Sequence, residues 1–270
     1  MDKTDKIGVA GCGRMGMPML ASLLHAGFNA HGFDIRDVGV ETDVDTFCKG
    51  LTTLITVVRD ADDTDAVLFD VQAILSCAPQ LRTLIISSTL SPRYVMALRD
   101  RVPSHIRMVD APMSGAQVRA EAGTLAFMLG GDDPVIAECL PLFNAMGQDL
   151  HRMGAFGAGM TAKVLNNLLA AGSTAMTRLV LDWADSAGVD ERKLLDLIHT
   201  ASGQNWFASG FDTIEFARDG YATDNTIGIL VKDVAAALDI APDGADTALP
   251  KTVQRVIAGL PPRAKNPDAP

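Results

Sequence analysis

A six-residue loop near the start of the chain decides the fold: Gly11-Cys12-Gly13-Arg14-Met15-Gly16, called here the glycine loop. It follows the apolar run Ile7–Ala10 directly and opens a stretch with helical spacing, so it joins a predicted strand to a predicted helix. In such a unit the first glycine makes the turn, the second lets the backbone approach a pyrophosphate, and the third lets the helix pack on the strand. The start of the helix supplies amide donors for phosphates. The loop predicts a dinucleotide-binding domain whose residues 11–16 contact the cofactor; a plain glycine turn is the alternative.

A carboxylate ends the second predicted strand. That strand, Ala30–Asp34, places Asp34 where it can accept hydrogen bonds from both hydroxyls of a ribose and repel a 2′-phosphate. Arg36 complicates this preference, because a guanidinium two residues later can bind that phosphate. The sequence predicts NAD as the cofactor, with NADP as the second choice. Arg14 and Arg59 can also face phosphates, although a single arginine is more often a solvated charge.

Short apolar runs alternate with helical segments up to about residue 155. This alternation predicts a mostly parallel sheet with helices on both faces. The predicted strands are Ile7–Ala10, Ala30–Asp34, Leu54–Val58, Leu84–Ser88, Arg107–Asp110 and Ala126–Leu129, and the predicted helices include Pro18–Ala26, Asp63–Phe69 and a segment from Asp132 to about Met146.

The rest of the chain has a purely helical pattern. Apolar residues recur at helical spacing over residues 161–187, Asp190 is placed to cap the next helix, and Thr226–Ile240 predicts another. The proline-rich end from Leu260 is expected to be frayed.

These patterns predict an α/β fold class: a Rossmann-type, doubly wound, mostly parallel sheet followed by an all-helical domain. The expected boundaries are 1–160 for the dinucleotide-binding domain and 161–270 for the helical substrate and dimerisation domain. The apolar helix at 161–187 is longer than one small domain needs to cover, so we expect a homodimer or a higher homo-oligomer.

Composition excludes several classes of protein. The 270 residues carry 23 basic and 33 acidic side chains, and the net charge of −10 argues against a nucleic-acid or anionic-membrane binder. No run of about 18 apolar residues predicts a membrane span, and the charged start has no signal-peptide core. The five histidines have no ligand spacing, so no metal site is predicted. The four cysteines are expected to be reduced, buried thiols of a cytoplasmic protein: Cys12, Cys48, Cys77 and Cys139.

Five motifs occur in an order that resembles one enzyme family. They are Met15-Gly16-x-Pro18-Met19, Ser88-Thr89-Leu90-Ser91-Pro92, Asp110-Ala111-Pro112-Met113-Ser114-Gly115-Ala116, Gly159-x-x-x-Lys163-x-x-x-Asn167 and Lys232-Asp233. Over about residues 5–240 the chain resembles the β-hydroxyacid dehydrogenases, the family of 3-hydroxyisobutyrate dehydrogenase and tartronate semialdehyde reductase. The resemblance implies an enzyme that transfers a hydride between a nicotinamide cofactor and a small β-hydroxy carboxylic acid or its semialdehyde.

The resemblance also implies roles for residues at the substrate. Lys163 would donate a proton to the substrate oxygen and stabilise alkoxide charge. Asn167, one helical turn later, would hold the substrate. Ser114, Gly115 and Ala116 would cradle its carboxylate with a hydroxyl and backbone amides. The plainer alternatives are a solvated lysine, a helix–helix hydrogen bond and a strand-ending turn.

Two more residues are expected at the cofactor. Thr89, at the carboxyl edge of the sheet, would lie near the nicotinamide ribose, the alternative being a helix start capped by Ser91. Lys232 would reach a cofactor phosphate or a substrate carboxylate, the alternative being a surface lysine. The segment Ser202–Trp206 resembles a pocket lining, although a helix-ending loop with a core tryptophan is the stronger interpretation.

The chain departs from the family pattern at several positions. The segment between Asp34 and Leu54 is short, Arg59 replaces a proline, Ser87 an aspartate and Ala116 a second glycine, and the chain is curtailed after Pro250. These departures concern the adenine contacts and one wall of the pocket more than the chemistry.

Two alternative functions keep the fold: an imine or other small-carbonyl reductase, which often lacks the lysine, and a catalytically inactive NAD(P)-binding protein.

Overall fold

The computed structural model describes residues 4–264, which form two compact units divided between Lys163 and Val164. The first unit is α/β and the second is helical, so the predicted fold class is confirmed. The frayed end predicted from Leu260 lies in part beyond residue 264, outside the described residues. Within residues 4–264, no helix is both long enough and apolar enough to cross a lipid bilayer.

The first unit is built on one sheet, which has eight strands in the described part of the chain. The strands are β1 (Lys6–Ala10), β2 (Ala30–Phe33), β3 (Leu51–Thr56), β4 (Thr83–Ile86), β5 (Arg107–Asp110), β6 (Met113–Ser114), β7 (Leu125–Gly130) and β8 (Gly147–Gly154). Their order is β2-β1-β3-β4-β5-β7-β6, with β8 paired to β7. Strands β1 to β5 are parallel, whereas β7 runs antiparallel to β5 and β6. The winding reverses at β1, and ligands bind such sheets at the carboxyl ends beside that reversal.

Helices cover both faces of this sheet. They are α1 (Gly16–His25), α2 (Val44–Cys48), α3 (Ala61–Leu68), α4 (Ile74–Cys77), α5 (Pro92–Arg101), α6 (Ala116–Glu121) and α7 (Asp133–Met146). Neighbouring residues of β1 point to opposite sides: Val9 packs in the apolar cluster under α1 and α7, and Ala10 in the cluster under α2 to α5. Because both faces are buried, the central strands are nearly continuous apolar runs, which made them predictable.

Two strands have no counterpart in the prediction. β6 has two residues, and β8 is mostly exposed, so neither forms an apolar run. The strand predicted at Leu54–Val58 lies at Leu51–Thr56 instead, because Thr52 and Thr53 extend it in the direction of the N-terminus. Exposed strands at a sheet edge carry little hydrophobic signal, which explains these differences.

The expectation of four reduced thiols is wrong for two of them. Cys48, at the end of α2, and Cys77, at the end of α4, form a disulfide with Cα atoms 5.8 Å apart. Cys12 and Cys139 are free and buried. The pair has no signature spacing, because α2 and α4 meet only through tertiary packing.

The second unit is made of helices. Helix α8 (Ala158–Ser186) begins in the first unit and continues into the second, and it is followed by α9 (Glu191–Thr200), α10 (Trp206–Ser209), α11 (Thr226–Asp239) and α12 (Ala248–Ala258). Asp190 caps α9 as predicted, since its carboxylate accepts the backbone amide of Lys193 at 2.9 Å.

A buried arginine fastens the irregular segments of this unit to α8. The Arg178 side chain is 2% exposed, and its guanidinium donates to the carbonyl oxygens of Ala217 and Asp219 at 3.0 and 2.9 Å. A third hydrogen bond goes to the carbonyl oxygen of Pro261. Arg178 thus satisfies backbone acceptors that would otherwise be buried without a partner.

Candidate active site

The glycine loop has the backbone that a phosphate site needs. Gly11 lies at φ +96°, and a Cβ on Gly16 would stand 2.0 Å from the carbonyl oxygen of Gly11, so neither position accepts a side chain. Among the described residues, a Cβ on Gly13 would have one neighbour within 4 Å, the Arg36 Nη2 atom at 3.6 Å. The N-cap residue of α1 makes no side-chain cap, and the positive end of the dipole of that helix lies at the loop, where it favours an anion. The loop fits a dinucleotide pyrophosphate.

The thiol of Cys12 is buried beneath the glycine loop. The side chain is 3% exposed, and Sγ donates to the carbonyl oxygen of Val9 at 3.5 Å. Burial raises the pKa of the Cys12 thiol to about 11, so it stays neutral at physiological pH. Any cofactor contact of Cys12 therefore goes through its amide.

Arg36 holds Asp34 in a bidentate ion pair. Its Nε and Nη2 atoms lie 2.9 Å from Oδ1 and Oδ2 of Asp34, and its backbone amide donates to Oδ1 at 3.0 Å. The hydrogen bond from the Arg36 side chain is the main cause of the lowered pKa of Asp34. These bonds use three of the roughly four acceptor positions of a carboxylate. The predicted acceptance from both ribose hydroxyls therefore requires Arg36 to release Asp34.

The end of β4 carries Ser88 and Thr89 at the carboxyl edge of the sheet. Ser88 Oγ accepts the amide of Val58 at 2.8 Å and so joins the loops after β3 and β4. Thr89 follows directly, at the ligand-binding edge. The helix start given as the alternative is also present, with Ser91 at the N-cap position and Pro92 in the first turn of α5, although the Ser91 side chain makes no capping hydrogen bond.

The predicted substrate cradle is a tight turn between β6 and α6. Ser114 ends β6 and is partly exposed, and Gly115 and Ala116 follow with φ of +137° and +53°. Ala116 thus keeps a left-handed conformation at the position where the family has glycine, at a cost of about 1 kcal/mol. The turn presents a hydroxyl and backbone amides in a short space, as the carboxylate cradle requires.

Lys163 is buried, so the alternative of a solvated surface lysine is wrong. Its side chain is 7% exposed, and it lies on α8 near the start of that helix. Lysines are almost never fully buried unless they are paired, so a buried lysine in this motif is a candidate functional residue.

In the second unit, Asn167 is held by a carboxylate that the sequence analysis left without a role. Asn167 Nδ2 donates to Oδ2 of the buried Asp233 at 2.6 Å, and Lys232 Nζ lies 3.6 Å from Oδ1 of the same residue. The helix–helix hydrogen bond given as an alternative is therefore present. Asp233 was detectable, because it is the second residue of the Lys232-Asp233 motif.

Two minor expectations have clear outcomes. Trp206 is 53% exposed, so the predicted core tryptophan is wrong. The expected loop after a helix is present, because α9 ends at Thr200 and the next helix, capped by Asn205, begins at Trp206. Arg59 is 85% exposed and paired with Asp63 at 2.9 Å, as expected for a solvated charge.

Two family models cover most of the chain. The NAD binding domain of 6-phosphogluconate dehydrogenase matches residues 6–157. The NAD-binding model of NADP-dependent 3-hydroxyisobutyrate dehydrogenase matches residues 157–260.

Individual proteins agree with these models. L-threonate dehydrogenase of Cupriavidus necator is 30% identical over 247 residues, which cover 87% of this chain and 83% of that protein. 3-Hydroxyisobutyrate dehydrogenase of Pseudomonas aeruginosa is 28% identical over 249 residues, covering 86% and 84%. The structure of 3-hydroxyisobutyrate dehydrogenase of Mycobacterium tuberculosis with L-serine superposes with a TM-score of 0.79 at 26% identity over 96% of both chains. With the phosphate-binding loop, the sheet order and the helical second unit, these matches show that the chain belongs to the β-hydroxyacid dehydrogenase family, oxidoreductases that transfer a hydride between NAD or NADP and a small hydroxy acid.

Proposed function

We propose that this enzyme, like 3-hydroxyisobutyrate dehydrogenase, oxidises a small β-hydroxy carboxylic acid to its semialdehyde or keto acid, or catalyses the reverse reduction. The observation that carries the proposal is the burial of Lys163 within the Gly159-x-x-x-Lys163-x-x-x-Asn167 motif. Lysines are rarely buried, and a buried amine at this place in the motif suits acid–base chemistry at a substrate oxygen.

Lys163 is the proposed acid–base group. The nicotinamide cofactor supplies or takes up the hydride at the substrate carbon. In the oxidative direction neutral Lys163 takes the proton of the substrate hydroxyl. In the reductive direction its ammonium donates that proton to the carbonyl oxygen and stabilises the alkoxide charge that develops.

The substrate carboxylate is the proposed ligand of the turn after β6. The Ser114 hydroxyl and the amides of Gly115 and Ala116 are closely spaced hydrogen-bond donors that can bind an anion. Asn167 is the proposed second substrate contact, through the N–H that does not bond Asp233. Asp233 supports this role because it fixes the orientation of the Asn167 amide.

The cofactor is proposed to lie along the first unit, with the domain boundaries at 1–160 and 161–270. The glycine loop binds the pyrophosphate, Asp34 the adenosine ribose and Thr89 the nicotinamide ribose. Lys232, 38% exposed, is the proposed partner of a cofactor phosphate. We propose NAD as the preferred cofactor, on the strength of the Asp34 carboxylate.

A substrate panel tests the function. The purified protein is assayed with 3-hydroxyisobutyrate, L-threonate, L-serine and further β-hydroxy acids, with NAD and with NADP, by the absorbance of reduced nicotinamide. Oxidation of at least one β-hydroxy acid supports the proposal. Reduction of cyclic imines without oxidation of any hydroxy acid would establish the imine reductase alternative, and cofactor binding without turnover would establish the inactive one.

Two further proposals concern the molecule in the cell. We propose a homodimer or a higher homo-oligomer, supported by exposed apolar side chains along α8.

We also propose a cytoplasmic location. The Cys48–Cys77 disulfide counts against it, because structural disulfides are rare in reducing compartments. Thiol counting after extraction into an alkylating buffer measures whether the disulfide is present in the cell, and cell fractionation measures the location.

A further inference from the structure

A buried carboxylate lies at the start of the helix that carries Lys163. Asp110, the last residue of β5, has a side chain that is 0% exposed. Its Oδ1 accepts the amide of Gly157 at 2.7 Å, and its Oδ2 accepts the amide of Met160 at 2.6 Å. One oxygen accepts from the residue just before α8 and the other from its first turn, as an ionised carboxylate does at a helix N-terminus. Burial raises the pKa of the Asp110 carboxyl, and the amides of Gly157 and Met160 oppose that rise.

Two glycines let this carboxylate reach the helix. A Cβ on Gly159 would lie 2.3 Å from the carbonyl oxygen of Met128 and 2.9 Å from Asp110 Oδ2. A Cβ on Gly130 would lie 2.2 Å from Asp110 Oδ1 and 2.8 Å from the nitrogen of Gly159. β7 and the first turn of α8 therefore meet backbone to backbone around Asp110. Close packing of this kind transmits small displacements instead of absorbing them.

Asp110 joins the two segments to which the proposed chemistry is assigned. Ala111, Pro112 and Met113 alone separate it from Ser114, where the substrate cradle begins. On the helix side, its partner Met160 precedes Lys163 by less than one turn. Because Asp110 has no exposed surface, it cannot touch a substrate and must act through these neighbours.

We propose that Asp110 is a positioning residue, which binds the first-turn amides of α8 and thereby fixes Lys163 relative to the Ser114–Ala116 turn. The proposal rests on the proposed role of Lys163. The effect on the rate follows from the distance dependence of proton transfer, since a displacement of about 1 Å at a reacting group can lower the rate about 10²-fold.

A double-mutant cycle tests the proposal. Asp110→Asn keeps the shape of the side chain but replaces one acceptor oxygen by an NH₂ group that faces a backbone N–H. We expect kcat to fall by about 10- to 100-fold, while the Kd for the cofactor, measured by calorimetry, stays within about twofold. In the Lys163→Ala background the same substitution should change the residual rate by less than about twofold, because the group that it positions is absent.

The outcomes separate this proposal from the proposed function. If Lys163→Ala leaves kcat for the hydroxy acid unchanged, the proposed acid–base role of Lys163 fails, and the positioning role fails with it, whereas a parent protein that oxidises no hydroxy acid would overturn the proposed function itself. If Lys163→Ala lowers kcat but Asp110→Asn lowers the rate by the same factor in both backgrounds, the function stands and Asp110 is merely structural. An unchanged kcat in Asp110→Asn would also overturn the positioning role.

A second variant covers the case in which Asp110→Asn does not fold or the residual rate is too low to compare. Asp110→Ser keeps one acceptor for the helix amides and removes the carboxylate. We expect its solvent deuterium isotope effect on kcat to rise, because a displaced amine makes proton transfer slower relative to the other steps. An unchanged isotope effect would overturn the proposal. Asp190→Asn, at the carboxylate cap of α9, is the matched control and should leave kcat and the isotope effect unchanged.

Discussion

Replacement of Lys163 separates proton transfer from cofactor binding. In Lys163→Ala we expect kcat to fall by about 10²–10⁴-fold, the usual contribution of a general acid–base group. The Kd for the cofactor should be unchanged, because the glycine loop and Asp34 bind it through other atoms. Steady-state kinetics and calorimetry measure the two quantities on the same preparation.

Matched variants isolate the amine from its packing. Lys163→Met fills the buried space without a charge and should be as inactive as Lys163→Ala, and Lys163→Arg should not restore activity because a guanidinium hardly deprotonates. Lys193→Ala, at an exposed lysine of α9, is the control. Activity of Lys163→Ala within about threefold of the parent, well inside the acid–base range, would show that the residue has another role.

Arg36 is expected to determine how strictly the enzyme distinguishes NAD from NADP. While it is paired with Asp34, it neutralises the charge that should repel a 2′-phosphate, and its guanidinium lies close to Gly13. Arg36→Ala should therefore raise the ratio of kcat/KM for NAD to that for NADP by about 10- to 100-fold, since hydrogen bonds to charged groups contribute about 1.5–3 kcal/mol. Kinetics with both cofactors measure the ratio.

The control for this variant is Arg59→Ala, which removes an arginine paired with Asp63 instead of Asp34. Its ratio should stay close to that of the parent. A ratio that falls in Arg36→Ala would mean that the arginine orients Asp34 for the ribose, and a ratio that does not change would mean that neither residue selects the cofactor.

The site could be predicted from sequence only where its residues are neighbours along the chain. Lys163 and Asn167 are one helical turn apart in a motif that resembles the family's, and the glycine loop is continuous, so both could be picked out as candidates from the sequence. The contacts of Asp110 and Asn167 reach partners 47 and 66 residues away. Such pairs form only when the strands and helices pack, and a single sequence carries no trace of them.

At the scale of elements, the cap of α11 should be a measurable part of the stability of the second unit. Asn225 Oδ1 accepts the amide of Gly228 at 3.0 Å, and its Nδ2 donates to the carbonyl oxygen of Gly220 at 2.7 Å. Asn225→Ala should lower the free energy of unfolding by about 1–2 kcal/mol, in the upper range for an N-cap. Urea unfolding measures it. Thr247→Ala is the control, because Thr247 makes no side-chain cap at α12, and an equal loss there would contradict the assignment.

The elements that the sequence predicted are those with a buried face. β1, β4 and β5 are buried throughout or nearly so, and α9 shows both its cap and its helical spacing. β8 could not be predicted, because it is held by hydrogen bonds to β7 while most of its side chains are exposed. Backbone hydrogen bonding between strands requires no particular residue type, whereas burial selects apolar residues that can be recognised in the sequence.

For the whole molecule, the exposed apolar face of α8 leads to a prediction about assembly. Its members recur at helical spacing: Leu165 (49% exposed), Leu169 (75%), Met176 (61%), Leu179 (39%) and Trp183 (67%). A helix of this length presents a stripe of about 40 Å, and stable dimers bury about 800 Å² on each partner. We expect sedimentation to show a species of at least twice 28.5 kDa at micromolar concentration.

A charged substitution within this face should dissociate the assembly. Leu169→Glu is expected to lower the sedimenting mass to 28.5 kDa, because it places a charge against an apolar partner surface. Leu197→Glu, at a leucine of α9 that is 60% exposed, is the control and should leave the mass unchanged. A parent protein that sediments as a single chain would refute the dimer.

The hydrogen bond between Arg178 and Pro261 has a consequence for synthesis on the ribosome. The last strand of the first unit ends at Gly154, so nearly all of that unit has been translated while most of the helical unit is still unmade. Arg178 itself emerges early, yet one of its carbonyl acceptors, that of Pro261, follows 83 residues later in the chain. The nascent chain therefore carries an incompletely bonded guanidinium while those residues are made, and during that interval the helical unit is the part that chaperones and proteases encounter.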